Sequence, residues 1–351
     1  MSTWPDTRIL DLLGIDLPII QAPMVAATTT AMVSAVNAAG GLGSMPAAGV
    51  SIEQLREALT TLRQANVRPL NVNFFCHQPP VADAQRDRHW KDLLAPYYRE
   101  LGADFDAPTP VSDRAPFNDA ACQIVEAFRP EVVSFHFGLP EQALLDRVKA
   151  TGAKVLSSAT TVAEAVWLEQ HGCDAIIAMG IEAGGHRGLF LSDDLNTQIG
   201  LMALLPQIVD AVSVPVIAAG GIGDARGVVA AFALGACAVQ LGTAYLFTDE
   251  ANISASHRHA LQHAQASDTA LTNLFTGRPA RGIVNRVMRE LGAINPAAPA
   301  FPTSGGALMP LKALDEAGFS NLWSGQALRL GKHMSAYDLT RELAEHALAR
   351  L

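Results

Sequence analysis

Cysteine is scarce in this sequence. Its 351 residues include four (Cys76, Cys122, Cys173 and Cys237), far apart and without a Cys-x-x-Cys pair. That argues against a disulfide scaffold or a cysteine-ligated zinc module, and for buried thiols in a reducing compartment. Charge is scarce too, at 17% of residues, and the balance is acidic at −9. With no basic stripe to neutralise phosphates, no nucleic-acid partner is expected. The beginning of the chain lacks the apolar core of a secretory leader, because Asp6, Arg8 and Asp11 interrupt it. One uncharged stretch, 228–247, is nominally long enough to cross a membrane. Gly235, Gln240, Gly242 and Thr243 break it into a helix (226–234), a turn and a strand (237–241). The expectation is a soluble, cytoplasmic protein with no membrane partner, acting as a monomer or homodimer.

Apolar residues and glycine, by contrast, are plentiful. The chain is 49% hydrophobic with 28 glycines, ample for one large α/β core and a smaller attached part. One unit recurs, a short apolar strand, a glycine or polar loop, then an amphipathic helix. Strands are expected at 17–21, 41–44, 70–74, 132–135, 154–157, 175–178, 216–219 and 238–241. Helices are expected at 29–39, 51–65, 141–150, 162–171, 202–211 and 224–234, with Ser51 and Thr160 or Thr161 as caps. Eight such units in about 250 residues suit a (β/α)8 TIM barrel. An open doubly wound sheet shares the alternation, but the first unit has no G-x-G-x-x-G fingerprint. Two segments break the rhythm, a polar insertion at 76–116 and an irregular, mainly helical stretch at 249–321. The expected organisation is a barrel over 1–248 carrying the insertion, a cap or substrate domain over 249–321, and a segment 322–351 that packs back on the barrel.

The candidate chemistry sits at the ends of these strands. The apolar run ending at Met179 opens into Glu182-Ala183-Gly184-Gly185-His186-Arg187-Gly188. That loop lets backbone approach a ligand and presents one imidazole at a strand's carboxyl end, where barrels do chemistry. His186 is the candidate base. The first strand ends Gln21-Ala22-Pro23-Met24, and the third carries Asn71 and Asn73 at period two, both facing the same way. The seventh ends Ala219-Gly220-Gly221 and the eighth Gln240-Leu241-Gly242-Thr243. Loops after barrel strands seven and eight commonly take phosphate on backbone N–H groups, and glycine removes the Cβ that would keep an anion away.

Taken in order, these motifs resemble the nitronate monooxygenases, formerly 2-nitropropane dioxygenases. Gly277-Arg-Pro-Ala-Arg281-Gly-Ile and Leu322-Trp-Ser-Gly-Gln326 are similar to later motifs of that family. The resemblance implies an FMN-containing TIM barrel that oxidises nitronates with dioxygen to a carbonyl compound and nitrite, needing no nicotinamide. It implies catalysis by His186. It also implies FMN binding by Ala22, Pro23, Met24, Asn73, Met179, Gly184, Ala219, Gly221 and Gln240 through Thr243, and no metal. Met179 stands where many relatives carry Gln, and Phe301-Pro302 where they often have Tyr-Pro. An FMN-dependent NAD(P)H:quinone or enoyl reductase on the same fold, and a flavin-binding protein without turnover, remain alternatives. His136 reads as either a cavity residue or a satisfied core histidine. His259 and His263 have helical metal-ligand spacing but no third ligand, so an exposed helix face is the simpler reading. Lys312 reads as either an anion contact from the cap or a solvated lysine.

Overall fold

The computed structural model describes residues 3–112 and 114–351. Eleven strands are formed among them: β1 Ile19–Gln21, β2 Ser44–Pro46, β3 Asn71–Phe75, β4 Val132–His136, β5 Lys154–Ala159, β6 Ala175–Met179, β7 Gly185–His186, β8 Val216–Ala219, β9 Ala238–Leu241, β10 Thr269–Thr272 and β11 Ala280–Ile283. Eight of them form one parallel sheet in the order β1-β9-β8-β6-β5-β4-β3-β2. A parallel bridge between Ile20 and Leu42 joins its two edges, with the Gln21 N–H donating to the Leu42 carbonyl at 3.0 Å. The sheet is therefore a closed (β/α)8 barrel.

The near-continuous apolar strands follow from burial on both faces. On β6, Ala175 and Ile177 point into the barrel with Ile20, Leu156 and Ile217, while Ile176 and Ala178 join the outer core under the helices. The helix Arg8–Leu13, absent from the expected set, plugs the amino end of the barrel with Ile9 and Leu13. Ser51 forms a capping box with Gln54 ahead of the helix Ile52–Gln64. Thr161, not Thr160, caps Val162–Gln170. The second strand begins three residues later than expected. Gly41 and Gly43 are spent on close approach: a Cβ would lie 2.7 Å from the Ile19 carbonyl oxygen at Gly41 and 2.6 Å from that of Val33 at Gly43.

The uncharged stretch resolves into the helix Ala225–Ala233 and β9. No helix among the described residues is long and apolar enough to cross a membrane. All four cysteines are free. The last helix, Ala336–Leu348, lies against Thr30–Ala38 and Ala225–Ala233 and completes the ring as the barrel's eighth helix. The irregular segment is thus inserted between the eighth barrel strand and its helix.

That segment is mainly helical, as expected, and adds two short strands. β10, β11 and the two-residue β7 form an antiparallel sheet in which Ala280 pairs with His186 and Arg281 with Gly185. The earlier insertion contributes a long helix, Ala84–Leu101, whose Trp90, Leu94 and Tyr98 share one apolar core with Phe275, Met288 and Leu308. The Trp90 indole donates to the Ser304 carbonyl at 3.0 Å, and the Tyr98 hydroxyl to that of Ala307 at 2.6 Å. Insertion and cap are one packed layer, tied to the His186 loop by β7.

Candidate active site

At the carboxyl ends of the barrel strands lies a cavity of about 450 Å³, within the range of small-ligand and cofactor sites. Its floor is barrel interior, including Ile177, Met179 and Ala219. Ala22, Pro23 and Met24 follow β1 along the wall, Asn73 stands on β3, and Gly184 and His186 lie beyond β6. Gly221 follows β8, and Gln240 through Thr243 run off β9. The structure thus brings His186 and every residue named from the sequence as a cofactor contact to one cavity.

The seven-residue motif after β6 is intelligible atom by atom. Glu182 turns its carboxylate to the N–H of Leu201 at 2.9 and 3.0 Å, capping the helix Leu201–Ala211. Gly184 has no room for a side chain, because a Cβ would lie 2.5 Å from the Gly325 nitrogen. Its glycine is required by the passing segment 324–326 rather than by an open ligand surface. Gly185 has φ +72°, the left-handed region that favours glycine. Arg187 is fully buried and donates to the carbonyls of Gly180 at 2.6 Å and Met179 at 2.8 Å, and to Gln198 Oε1 at 2.9 Å. Burial lowers its pKa to about 10, still charged at neutral pH. The arginine anchors the end of β6, and the histidine next to it faces the cavity.

His186 is half-buried in a box of rings, with centroids 5.3 Å from Phe301, 5.6 Å from Trp323, 5.9 Å from Phe75 and 6.0 Å from Phe137. Its Nε2 is 2.9 Å from the Thr276 hydroxyl. Desolvation by these neighbours, then the positive charge of Arg114, pushes its pKa well below 6.5, with His136, Arg278 and His77 adding to the shift. The imidazole is neutral at pH 7 and free to accept a proton.

The far wall presents polar groups and open backbone to the cavity. Gln240 carries a buried Oε1 with no partner in the protein, an acceptor waiting for a donor. Gly242 is open, since a Cβ there would meet only Ala22 Cβ and Met24 Sδ, each at 3.6 Å. Gly221 has φ +69°. The Thr243 hydroxyl accepts from the Gly325 N–H at 2.8 Å and keeps its own proton to donate. Asn73 is steadied by Ser134, its Nδ2 donating to the hydroxyl at 3.0 Å. Met24 and Met179 supply soft apolar surface between these polar groups.

Several cavity residues escaped the sequence reading. Arg114 lines the cavity from the insertion, its guanidinium 5.9 Å over Phe75 and 5.8 Å over Phe301. Thr276 directly precedes the Gly277 motif, and His257, which donates to the Trp323 carbonyl at 3.0 Å, reaches in from the cap. No local pattern marks a lone arginine or threonine in an irregular segment. Lys312 is exposed on the rim. Phe301 is not on the wall; it backs His186 edge-on. His136 lines the cavity, with both ring nitrogens engaged by protein. His259 and His263 stack on each other at 4.1 Å on an exposed helix face outside the cavity.

Comparisons with known proteins agree with this geometry. The family model for nitronate monooxygenase matches residues 6–346. A nitronate monooxygenase of Pseudomonas aeruginosa is 40% identical over 350 residues, covering 96% of this chain and 98% of its own. One of Paraburkholderia phytofirmans is 40% identical over 345 residues, covering 95% and 93%. Among solved structures, nitroalkane oxidase from Streptomyces ansochromogenes superposes with a TM-score of 0.87 at 37% identity, over 97% of this chain and 98% of that one. FabK from Thermotoga maritima superposes at 0.74 and 26% identity, over 98% and 97%. Matched by the family model over nearly its whole length and by full-length relatives at 40% identity, the chain belongs to the nitronate monooxygenase family, a family of flavoenzymes.

Proposed function

We propose that the protein binds FMN and uses it to oxidise alkyl nitronates with dioxygen, giving a carbonyl compound and nitrite. The observation that carries this reading is one cavity holding a neutral, ring-boxed His186 opposite a glycine wall with an unpartnered Gln240 acceptor. Gly221, Gly242 and Thr243 would hold the phosphate, and Asn73, Gln240, Met24 and Met179 the ring system. When bound, the flavin takes electrons from the nitronate and delivers them to dioxygen. The protein's own part is position and proton transfer. His186 takes the α-proton of a neutral nitroalkane, which otherwise cannot donate electrons, and Thr276 fixes the ring against Nε2. The cap and insertion layer keeps water from the reacting carbon. Four unpaired thiols, three of them buried, fit a reducing cytoplasmic compartment.

The purified protein should be yellow, release FMN rather than FAD on denaturation, and form nitrite from ethyl or propyl nitronate in air. Anaerobic bleaching by NADH but not by nitronate would replace this reading with a reductase on the same fold.

The pH dependence has a definite sign. A histidine base works only when neutral, and the His186 pKa is lowered from 6.5. The acid limb of kcat/KM for a neutral nitroalkane should therefore fall below pH 6.5, with full activity at pH 7. An acid limb above 6.5 would contradict this electrostatic environment.

A further inference from the structure

We propose that His136 is a positioning residue for His186, clamping the loop that carries the base by a hydrogen bond to the His186 backbone carbonyl. This rests on the reading of His186 as the base. His136 ends β4, and its Nε2 is 3.1 Å from the His186 carbonyl oxygen. A carbonyl only accepts, so Nε2 carries the hydrogen. Burial brings the ring's pKa down to about 4, so it is neutral at pH 7 and its Nδ1 is bare. That nitrogen is 2.6 Å from the Ser158 hydroxyl on β5, which therefore donates to it. The His186 carbonyl thus sets the tautomer, and the Ser158 hydroxyl, donating to the bare Nδ1, holds the ring in place as a donor toward the loop.

The chain is shaped to lie on this pair. A Cβ at Gly188 would fall 2.6 Å from Ser158 Oγ and 2.9 Å from His136 Cε1, so only glycine lets the segment after His186 rest there. From the cap side, the same segment is held by the Arg187 N–H donating to the Pro279 carbonyl at 2.8 Å, and by the β7–β11 pairing. His136 supplies the hold from the barrel side. With both ring nitrogens committed to protein, it has none to offer a substrate, although it lines the cavity. Its effect on the reaction passes through the place of His186.

The test compares H136F, H136Q and S158A in the flavin-loaded enzyme. Glutamine can place an N–H near the position of Nε2, whereas phenylalanine keeps the ring and loses the donor. For a neutral nitroalkane, H136F should lose about 10- to 100-fold in kcat, the scale of a base displaced by about an ångström. Its KM, flavin content and turnover of pre-formed nitronate should stay near wild type. H136Q should recover most of the loss, and S158A should fall between. Wild-type kcat in H136F, or equal losses in H136F and H136Q, would overturn the proposal. Side-chain ¹⁵N spectra read the clamp without turnover. His136 should appear as the neutral Nε2–H tautomer, and the His186 signals should move in H136F but not in H136Q. An Nδ1–H or charged His136 at pH 7 would overturn it. Failure of the wild type to form nitrite from any nitronate would instead refute the proposed activity, leaving the spectra to judge the clamp.

Discussion

Replacing His186 by asparagine is expected to leave a folded, flavin-containing protein that has lost about 10²- to 10⁴-fold of its activity on neutral nitroalkanes, the usual contribution of a general base. The same variant should still oxidise pre-formed nitronates, because they have no α-proton to remove. The imidazole is neutral at pH 7, so its loss removes no positive charge that would hold the anion. Some stability will be lost with the ring contacts to Phe301, Trp323 and Phe75, so thermal midpoint and flavin content should be recorded with the kinetics. Steady-state rates on nitroethane and on ethyl nitronate decide the matter. Equal losses on both would make His186 an anion-binding group, and no loss on either would remove it from the reaction.

The sequence carried the barrel well because each strand is a short, nearly continuous apolar run between glycine loops, a signal that burial on both faces enforces locally. β2 slipped because Gly41 and Gly43 look like strand and turn residues alike, while their role is close approach to β1 and to the helix at 30–38. The cap was harder to read. β10 and β11 are four residues each, and their third partner is the Gly185-His186 pair, which has no strand character of its own. Its strand form exists only through the pairing with Ala280 and Arg281, about a hundred residues away. Likewise the insertion helix Ala84–Leu101 owes its buried face to residues beyond 270, so nothing near it in sequence reveals its partner.

The same division runs through the site. Residues that end barrel strands could be placed from pattern alone, because the fold sends every strand end to one face. Arg114, Thr276 and His257 reach that face on irregular chain, and only the packed layer of cap and insertion brings them there. The glycines also divide on inspection. Gly184 and Gly188 are glycine to let other parts of the protein pass, whereas Gly242 borders open cavity. A sequence motif does not separate these causes; the distance to the nearest atom does.

That distinction selects the substitution that tests the cofactor wall. Gly221 has φ +69°, where any side chain is strained, so a loss of flavin in a Gly221 variant would mix backbone strain with blocked binding. Gly242 has φ −110°, open to ordinary residues, and its Cβ would make only normal contacts with Ala22 and Met24. Gly242→Val should therefore fold, with an unchanged far-UV spectrum and a thermal midpoint close to that of flavin-free wild type. Its isopropyl group would fill the space where the phosphate approaches the backbone, and the purified protein should have lost most of its FMN. Gly242→Ala, smaller by two methyl groups, should bind FMN with intermediate affinity. Absorbance at the flavin band and titration with added FMN measure both. Full occupancy in Gly242→Val would move the phosphate away from the loop after β9, and the assignment of Gln240 through Thr243 as cofactor residues would fall with it.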